Sequence, residues 1–131
     1  MRDHSWGIRD WEGVKNWMAL WPIFGNDLLI TAIRITLSDD KVIHTGFIFD
    51  GKGNIDVVEV EPKLELAEDG LTQKSVNLRV KDERGTRREI TGKLIANFPL
   101  PYDGNILNEA MFEYQLGERV GHGLFEYNTR L

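Results

Sequence analysis

Val42-Ile43-His44-Thr45-Gly46-Phe47-Ile48-Phe49, then Asp50-Gly51-Lys52-Gly53-Asn54, then Ile55-Asp56-Val57-Val58-Glu59-Val60-Glu61 is the stretch that decides the fold class. A run rich in β-branched and aromatic residues meets a turn, and a second run alternates Val58 and Val60 against Glu59 and Glu61. Asp-Gly supplies the positive φ that a tight hairpin requires. Two strands joined by a hairpin follow, and the same rhythm extends in both directions.

Towards the N-terminus, Leu28 to Ser38 places Leu29, Ile33, Ile35 and Leu37 on one parity and Ile30, Ala32, Arg34 and Thr36 on the other, and Asp39-Asp40 turns it onto Val42. Val14 to Ile23 alternates Trp17, Ala19 and Trp21 against Asn16, Met18 and Leu20. Towards the C-terminus, Pro62 breaks the hydrogen-bond ladder of the Ile55 to Leu66 strand and marks an edge, a bulge or a strand end. Val76 to Val80 is a short strand. Arg88 to Phe98 carries Ile90, Gly92, Leu94, Ala96 and Phe98 on one face until Pro99-Leu100-Pro101 stops it. Glu109 to Leu116 aligns Ala110, Phe112, Tyr114 and Leu116, and Val120 to Tyr127 sets His122, Leu124 and Glu126 against Gly121, Gly123, Phe125 and Tyr127. With the opening stretch counted as a strand, this predicts about nine strands and an all-β antiparallel barrel or strongly curved sandwich. No linker or repeat divides residues 1–131, so one domain is expected.

Composition narrows the function classes. The 131 residues are 41% hydrophobic, enough for a core, with 16 basic and 21 acidic side chains and a net charge of −5. That balance argues against a nucleic-acid or anionic-membrane partner. The absence of cysteine excludes disulfides, thiolate metal sites and cysteine nucleophiles, and fits a reducing, cytoplasmic setting. The longest apolar run, Trp17 to Phe24, is far short of the ~20 residues of a membrane helix. The three histidines, His4, His44 and His122, have no ligand-type spacing, so neither a metal nor another cofactor is expected.

The chemically densest segment is Arg2-Asp3-His4-Ser5-Trp6-Gly7-Ile8-Arg9-Asp10-Trp11. On a regular strand Asp3 and His4 face opposite ways, and His4 and Asp10 share a face but lie roughly 20 Å apart. The segment forms a site if Gly7 bends the chain; otherwise its charges form arginine–carboxylate pairs at a strand end. Trp6, Trp11, Trp17 and Trp21 fall within sixteen residues and either line an apolar pocket or fill the core. Glu126, if it faces inward with Leu124, needs a partner such as Arg34; otherwise that face is the solvent side. His122 lies on the same parity.

The Arg-Asp-His-Ser-Trp-Gly-x-Arg-Asp-Trp string, the Trp17/Trp21 stretch, the Asp50-Gly51 turn, Gly92 and the closing Gly121-His122-Gly123-Leu124-Phe125-Glu126-Tyr127 together resemble an uncharacterised bacterial domain family. That family is similar to the C-terminal half of the two-barrel, lipocalin-like proteins that include hydroxyneurosporene synthase, a carotenoid hydratase, and tocopherol cyclase. The resemblance implies a calycin-type barrel with an apolar ligand near the opening motif, His4 and Trp6 at the site and Asp3 beside them. It also implies a second barrel, as another domain or another copy, because the chain starts at the motif.

Three readings of function follow. The first is binding of an isoprenoid, steroid-like or fatty-acyl molecule through the tryptophan region, with Asp3 and His4 at its polar end and Arg9, Asp10, Arg34 and His122 as further contacts. The second is a hydratase or cyclase in which Asp3, Asp10 or Glu126 protonates a carbon–carbon double bond. A third, structural role is assembly with the second barrel.

Overall fold

The computed structural model describes residues 12–131, so the opening stretch with Asp3, His4, Trp6, Arg9, Asp10 and Trp11 lies outside the described residues. Nine strands run in chain order: β1 Val14–Leu20, β2 Ile23–Phe24, β3 Leu28–Leu37, β4 Val42–Phe49, β5 Asn54–Leu66, β6 Gln73–Asp82, β7 Arg87–Tyr102, β8 Asn105–Leu116 and β9 Arg119–Arg130. Every pairing is antiparallel. Because β1 pairs with both β3 and β9, eight strands close into a barrel, and the two-residue β2 continues the β1 side between β3 and β9. Among the described residues there is no helix, so none is long and apolar enough to cross a membrane.

Closure follows from hairpins whose turns are built by their own side chains. At the Asp50-Gly51 turn, Gly51 adopts φ 88° and the Asp50 carboxylate accepts from the backbone N–H groups of Lys52 (2.9 Å) and Gly53 (3.1 Å). Asp69 does the same for Leu71 and Thr72. One end of the barrel is sealed. The chain bends after β1, so that the backbone of Trp21 to Ile23 passes over the inner side of β9, where Gly121 and Gly123 leave room. A Cβ on Gly123 would stand 1.8 Å from the Trp21 carbonyl oxygen. Phe24 fills this end at 0% exposure, and Arg119 locks it by donating to the Phe24 carbonyl (2.9 Å) and to Asp27 (2.7 Å). Leu20, Ile30, Ile48, Val60, Leu78, Ile90, Phe112 and Phe125 pack above it as a dry core.

Three sequence expectations change. Pro99 and Pro101 do not end β7, which continues to Tyr102 in register with β8. Its ladder with β6 ends at Lys93, so the prolines' missing N–H groups fall on an edge without a partner strand. Pro62 stands on such an edge, one of the placements the sequence reading gave it, since β5 leaves its ladder with β4 after Asp56. Bulges also break the simple alternation. The one at Val57/Glu59 turns Val58 out and keeps Val57 and Val60 inside, and the one at Leu94/Ala96 leaves Phe98 68% exposed.

Asp82 stands at the sealed end, almost wholly buried, where it accepts from the N–H groups of Arg84 (2.9 Å) and Thr86 (3.1 Å) and from Arg88 (3.0 Å). Burial alone would raise its pKa, but the Arg88 bond and the two backbone N–H groups together hold it below the usual carboxylate value of 3.8. A depressed folded-state pKa contributes stability that is present above the unfolded value and lost as pH falls through the folded one. Asp82→Asn is therefore expected to cost about 1–2 kcal/mol at pH 7. In urea denaturation across pH, the gap to the parent should shrink below about pH 4.

Candidate functional site

The end opposite the seal is formed by the turns at 38–41, 67–72 and 103–104, and here the strand register assembles residues far apart in sequence. Met18 pairs with Arg34 and with Tyr127, Arg34 with His44, and Tyr127 with Asn108. Each shares the inward parity of a core residue on its own strand: Leu20, Ala32, Ile48, Phe125 and Ala110. His44, Arg34, Met18, Tyr127 and Asn108 thus form one belt around the inner wall, contributed by β4, β3, β1, β9 and β8. The row beneath, Gly46, Ala32, Leu20, Phe125 and Ala110, is apolar, and three of its members have no side chain larger than a methyl.

Exposure separates four members of the belt from the floor, while the fifth, Asn108, is buried. Ala32, Leu20, Phe125 and Ala110 are buried, whereas Met18, Arg34, His44 and Tyr127 are only half-buried despite pointing inward. Inward Leu28 and Leu116 at the opposite end are half-buried as well, so partial exposure marks both rims of the barrel, and what sets this rim apart is its polar side chains. This end, the mouth, combines a cation, an imidazole, a phenol and a thioether with the buried amide of Asn108 above an apolar floor, a pattern suited to an apolar molecule with a polar end.

The wall has a side opening next to this belt. β4 and β5 pair only from Phe47/Asp56 to Phe49/Asn54, and His44 spans the widening gap: the Val60 backbone N–H donates to His44 Nδ1 at 2.8 Å. Nδ1 is thus the accepting nitrogen of the ring, and Nε2 is left to face away from Val60. Arg34, in register with His44, donates to Glu61 at 3.3 Å on the far side of the same gap. This pair is 27% and 57% exposed, so its electrostatic contribution is modest. Outside, an open groove of about 320 Å³ includes Glu61 and Arg79, but its charges are largely paired, Lys81 with Glu59 and Arg79 with Glu89, as on a solvated sheet face.

The other sequence candidates fall elsewhere. Arg34 is brought to the belt, but its carboxylate partner is Glu61 rather than Glu126. Glu126 has the parity opposite to Phe125 and Tyr127 and faces outward; its charge, after burial, helps to raise the Tyr102 pKa. His122 is also outward, 3.8 Å from Glu113 across the ladder. Trp17 lies in register with Ile35 and Asn128 on the parity opposite Met18, so it stands on the outer side of the wall. Trp21 follows β1, its backbone N–H bonded to the Leu124 carbonyl at 3.0 Å. Among the described residues no group of three potential metal ligands converges.

Sequence reading missed Met18, His44, Tyr127 and Asn108 as a set. Tyr127 shares parity with Phe125, and His44 with Ile48, which is a usable signal for each alone. What brings them together is the register of ladders joining chain ends. Replacing His44 with Leu is expected to leave the Val60 N–H unpaired, to cost about 1–3 kcal/mol in denaturant unfolding, and to speed amide exchange at Val60. Unchanged exchange there would show that the imidazole does not hold the gap.

Comparison with known proteins agrees with this architecture. Three solved chains match in structure. One is the crystal structure of kievitone hydratase from Nectria haematococca, with a TM-score of 0.58 and 12% sequence identity over 87% of this chain. The match covers 39% of that protein's chain, and at this identity it shows a shared lipocalin-like barrel fold. No curated protein matches the sequence. The family is shown by a model that spans residues 1–131: the chain belongs to the family described as a domain of unknown function, DUF7064.

Proposed function

We propose that this chain binds a small, largely apolar molecule, of isoprenoid, steroid-like or fatty-acyl type, in the mouth of its barrel. The observation that carries this reading is the half-buried belt of Met18, Arg34, His44 and Tyr127 above a sealed apolar floor. In this proposal His4 and Trp6 of the opening stretch, with Asp3 beside them, add to the mouth. The described chain begins at Glu12, just before Val14 pairs with Leu37 at the same end of the barrel. The likeness of that stretch to the hydroxyneurosporene synthase and tocopherol cyclase type of protein supports an apolar ligand. Titration with isoprenoid, steroid and fatty-acyl probes is expected to raise Tm and quench tryptophan fluorescence, since a ligand that binds only the folded state stabilises it. Arg34→Ala or Tyr127→Ala should weaken that binding about tenfold. A panel that leaves both Tm and fluorescence unmoved sinks the reading.

The shared fold with a hydratase favours a second reading, in which the barrel adds water to a carbon–carbon double bond of its ligand. Such chemistry needs a carboxylic acid kept protonated beside the alkene. Asp27, Asp50, Glu65, Asp69 and Asp82 all have pKa values held down by their donors, which suits turns and ion pairs rather than proton donation. Glu126 faces outward, so this reading assigns the acid to Asp3 or Asp10. With a ligand found by the titration above, hydration followed by mass gain of one water is expected to fall at least a hundredfold in Asp3→Asn or Asp10→Asn. Full turnover in both variants would exclude the assignment.

A further inference from the structure

We propose that the inner mouth contains a recognition subsite for a hydrogen-bond donor: a hydroxyl carried by the otherwise apolar ligand, received by the amide oxygen of Asn97, with the amide oxygen of Gln73 as a second unpaired acceptor on the same inner wall. The inference rests on the ligand-binding reading above and says what the ligand must carry.

The argument begins with amide orientation, because an amide's oxygen and nitrogen are told apart only by their partners. Asn108 Nδ2 donates to the Leu71 carbonyl at 2.6 Å, which directs Asn108 Oδ1 to the opposite side. Asn97 Nδ2 donates to that oxygen at 3.3 Å, so Asn97 Oδ1 is turned away from Asn108, and it is buried without any donor. Gln73 Nε2 donates to two backbone carbonyls, Asn108 at 3.1 Å and Phe125 at 2.9 Å. Flipping that amide would set an oxygen against two oxygens, so its orientation is also determined. Gln73 Oε1 is left buried and unpartnered on a side chain that is 0% exposed.

These oxygens belong to the lumen. β7 lies between β6 and β8 in the wall, and the wholly buried Gln73 side chain meets β8 and β9 by crossing the interior. Asn97 pairs with Ala110 and so joins the floor row, turned inward by the bulge at Leu94/Ala96 that sends Phe98 outward. Both amides bond to Asn108, a member of the belt. One row above the belt, on the same parity as Tyr127, Thr129 Oγ1 is buried and also lacks a partner. Three of the four unpartnered buried side-chain atoms among the described residues therefore stand on the inner wall at the mouth, and each is an oxygen.

Buried acceptors without donors are costly, and a ligand that supplies a donor removes the cost. Two of the three oxygens can only accept. An anionic head group would meet them with repulsion, and a wholly apolar ligand would leave them unpaired. A phenol or alcohol hydroxyl carries one donor hydrogen, which it gives to Asn97 Oδ1, the less deeply buried of the two residues, while its hydrocarbon part rests on Leu20, Ala32 and Phe125.

The test uses probe pairs that differ only in the donor: 2-naphthol against 2-methoxynaphthalene, and farnesol against farnesyl methyl ether, measured by calorimetry on the full chain. The parent is expected to prefer the hydroxyl member by about tenfold in at least one pair. Asn97→Leu, which leaves both Gln73 donor bonds in place, should reduce that preference to within about twofold while the ether still binds. The side-chain carbonyl ¹³C shift of Asn97 in the parent should move with the alcohol and not with the ether, which decides the matter even if the variant fails to fold. Equal affinity for alcohol and ether in the parent overturns the subsite and leaves ligand binding intact. No binding of any probe overturns both. A complex in which ordered water, rather than the ligand hydroxyl, bonds to Asn97 Oδ1 overturns the subsite alone.

Discussion

The ladder between β1 and β9 is the interaction on which the rest of the structure depends. It joins the chain's first described strand to its last, from Asn16/Thr129 to Leu20/Phe125, and turns a meander of hairpins into a closed wall. Closure leaves no exposed sheet edge on either strand and forces one parity of every strand into a shared interior. The inner belt exists only because of it. Without the β1–β9 register, Met18 has no fixed relation to Tyr127, and Arg34 and His44 are separated from the β8–β9 amides.

Closure is incomplete on the opposite side, and the site takes its character from that defect. β5 parts from β4 after Asp56, so Val60 offers a backbone N–H with no strand to receive it, and the His44 imidazole receives it instead. Arg34 reaches Glu61 through the same gap. The sealed end lacks this openness because Phe24, the Asp82–Arg88 pair and the Arg119–Asp27 pair close it. One end is therefore a stability device, and the other carries half-buried polar side chains on its inner wall.

Where sequence reasoning went astray, single inserted residues were responsible. Alternation from Ile90 onward puts Phe98 in the core and Asn97 outside, and one bulge reverses both assignments. The same event at Val57/Glu59 exchanges Val58 for Val57. A bulge has no firm composition signature, since it answers to the curvature of neighbouring strands rather than to the residue inserted. Gln73 was hidden differently: it follows the Glu68-Asp69-Gly70 turn and reads as loop, yet its amide spans the lumen to Asn108 and Phe125.

The sequence by itself determined the all-β class, most hairpin turns, and which residues share a face within one strand, as Ala110, Phe112 and Tyr114 do and as Arg34 does with Ile30 and Ala32. These are local properties, set by alternation along one strand and by Asp and Gly at its ends. Only the tertiary structure decided that Ile30, Ala32, Arg34 and Phe125 face inward, which residues meet across the barrel, that Arg34 is answered by Glu61 and not by Glu126, that Trp17 stands outside, and that the amide oxygens of Gln73 and Asn97 are buried without partners. Such facts depend on register between strands up to a whole chain length apart. Alternation records which side chains share a face, and register decides whom they face.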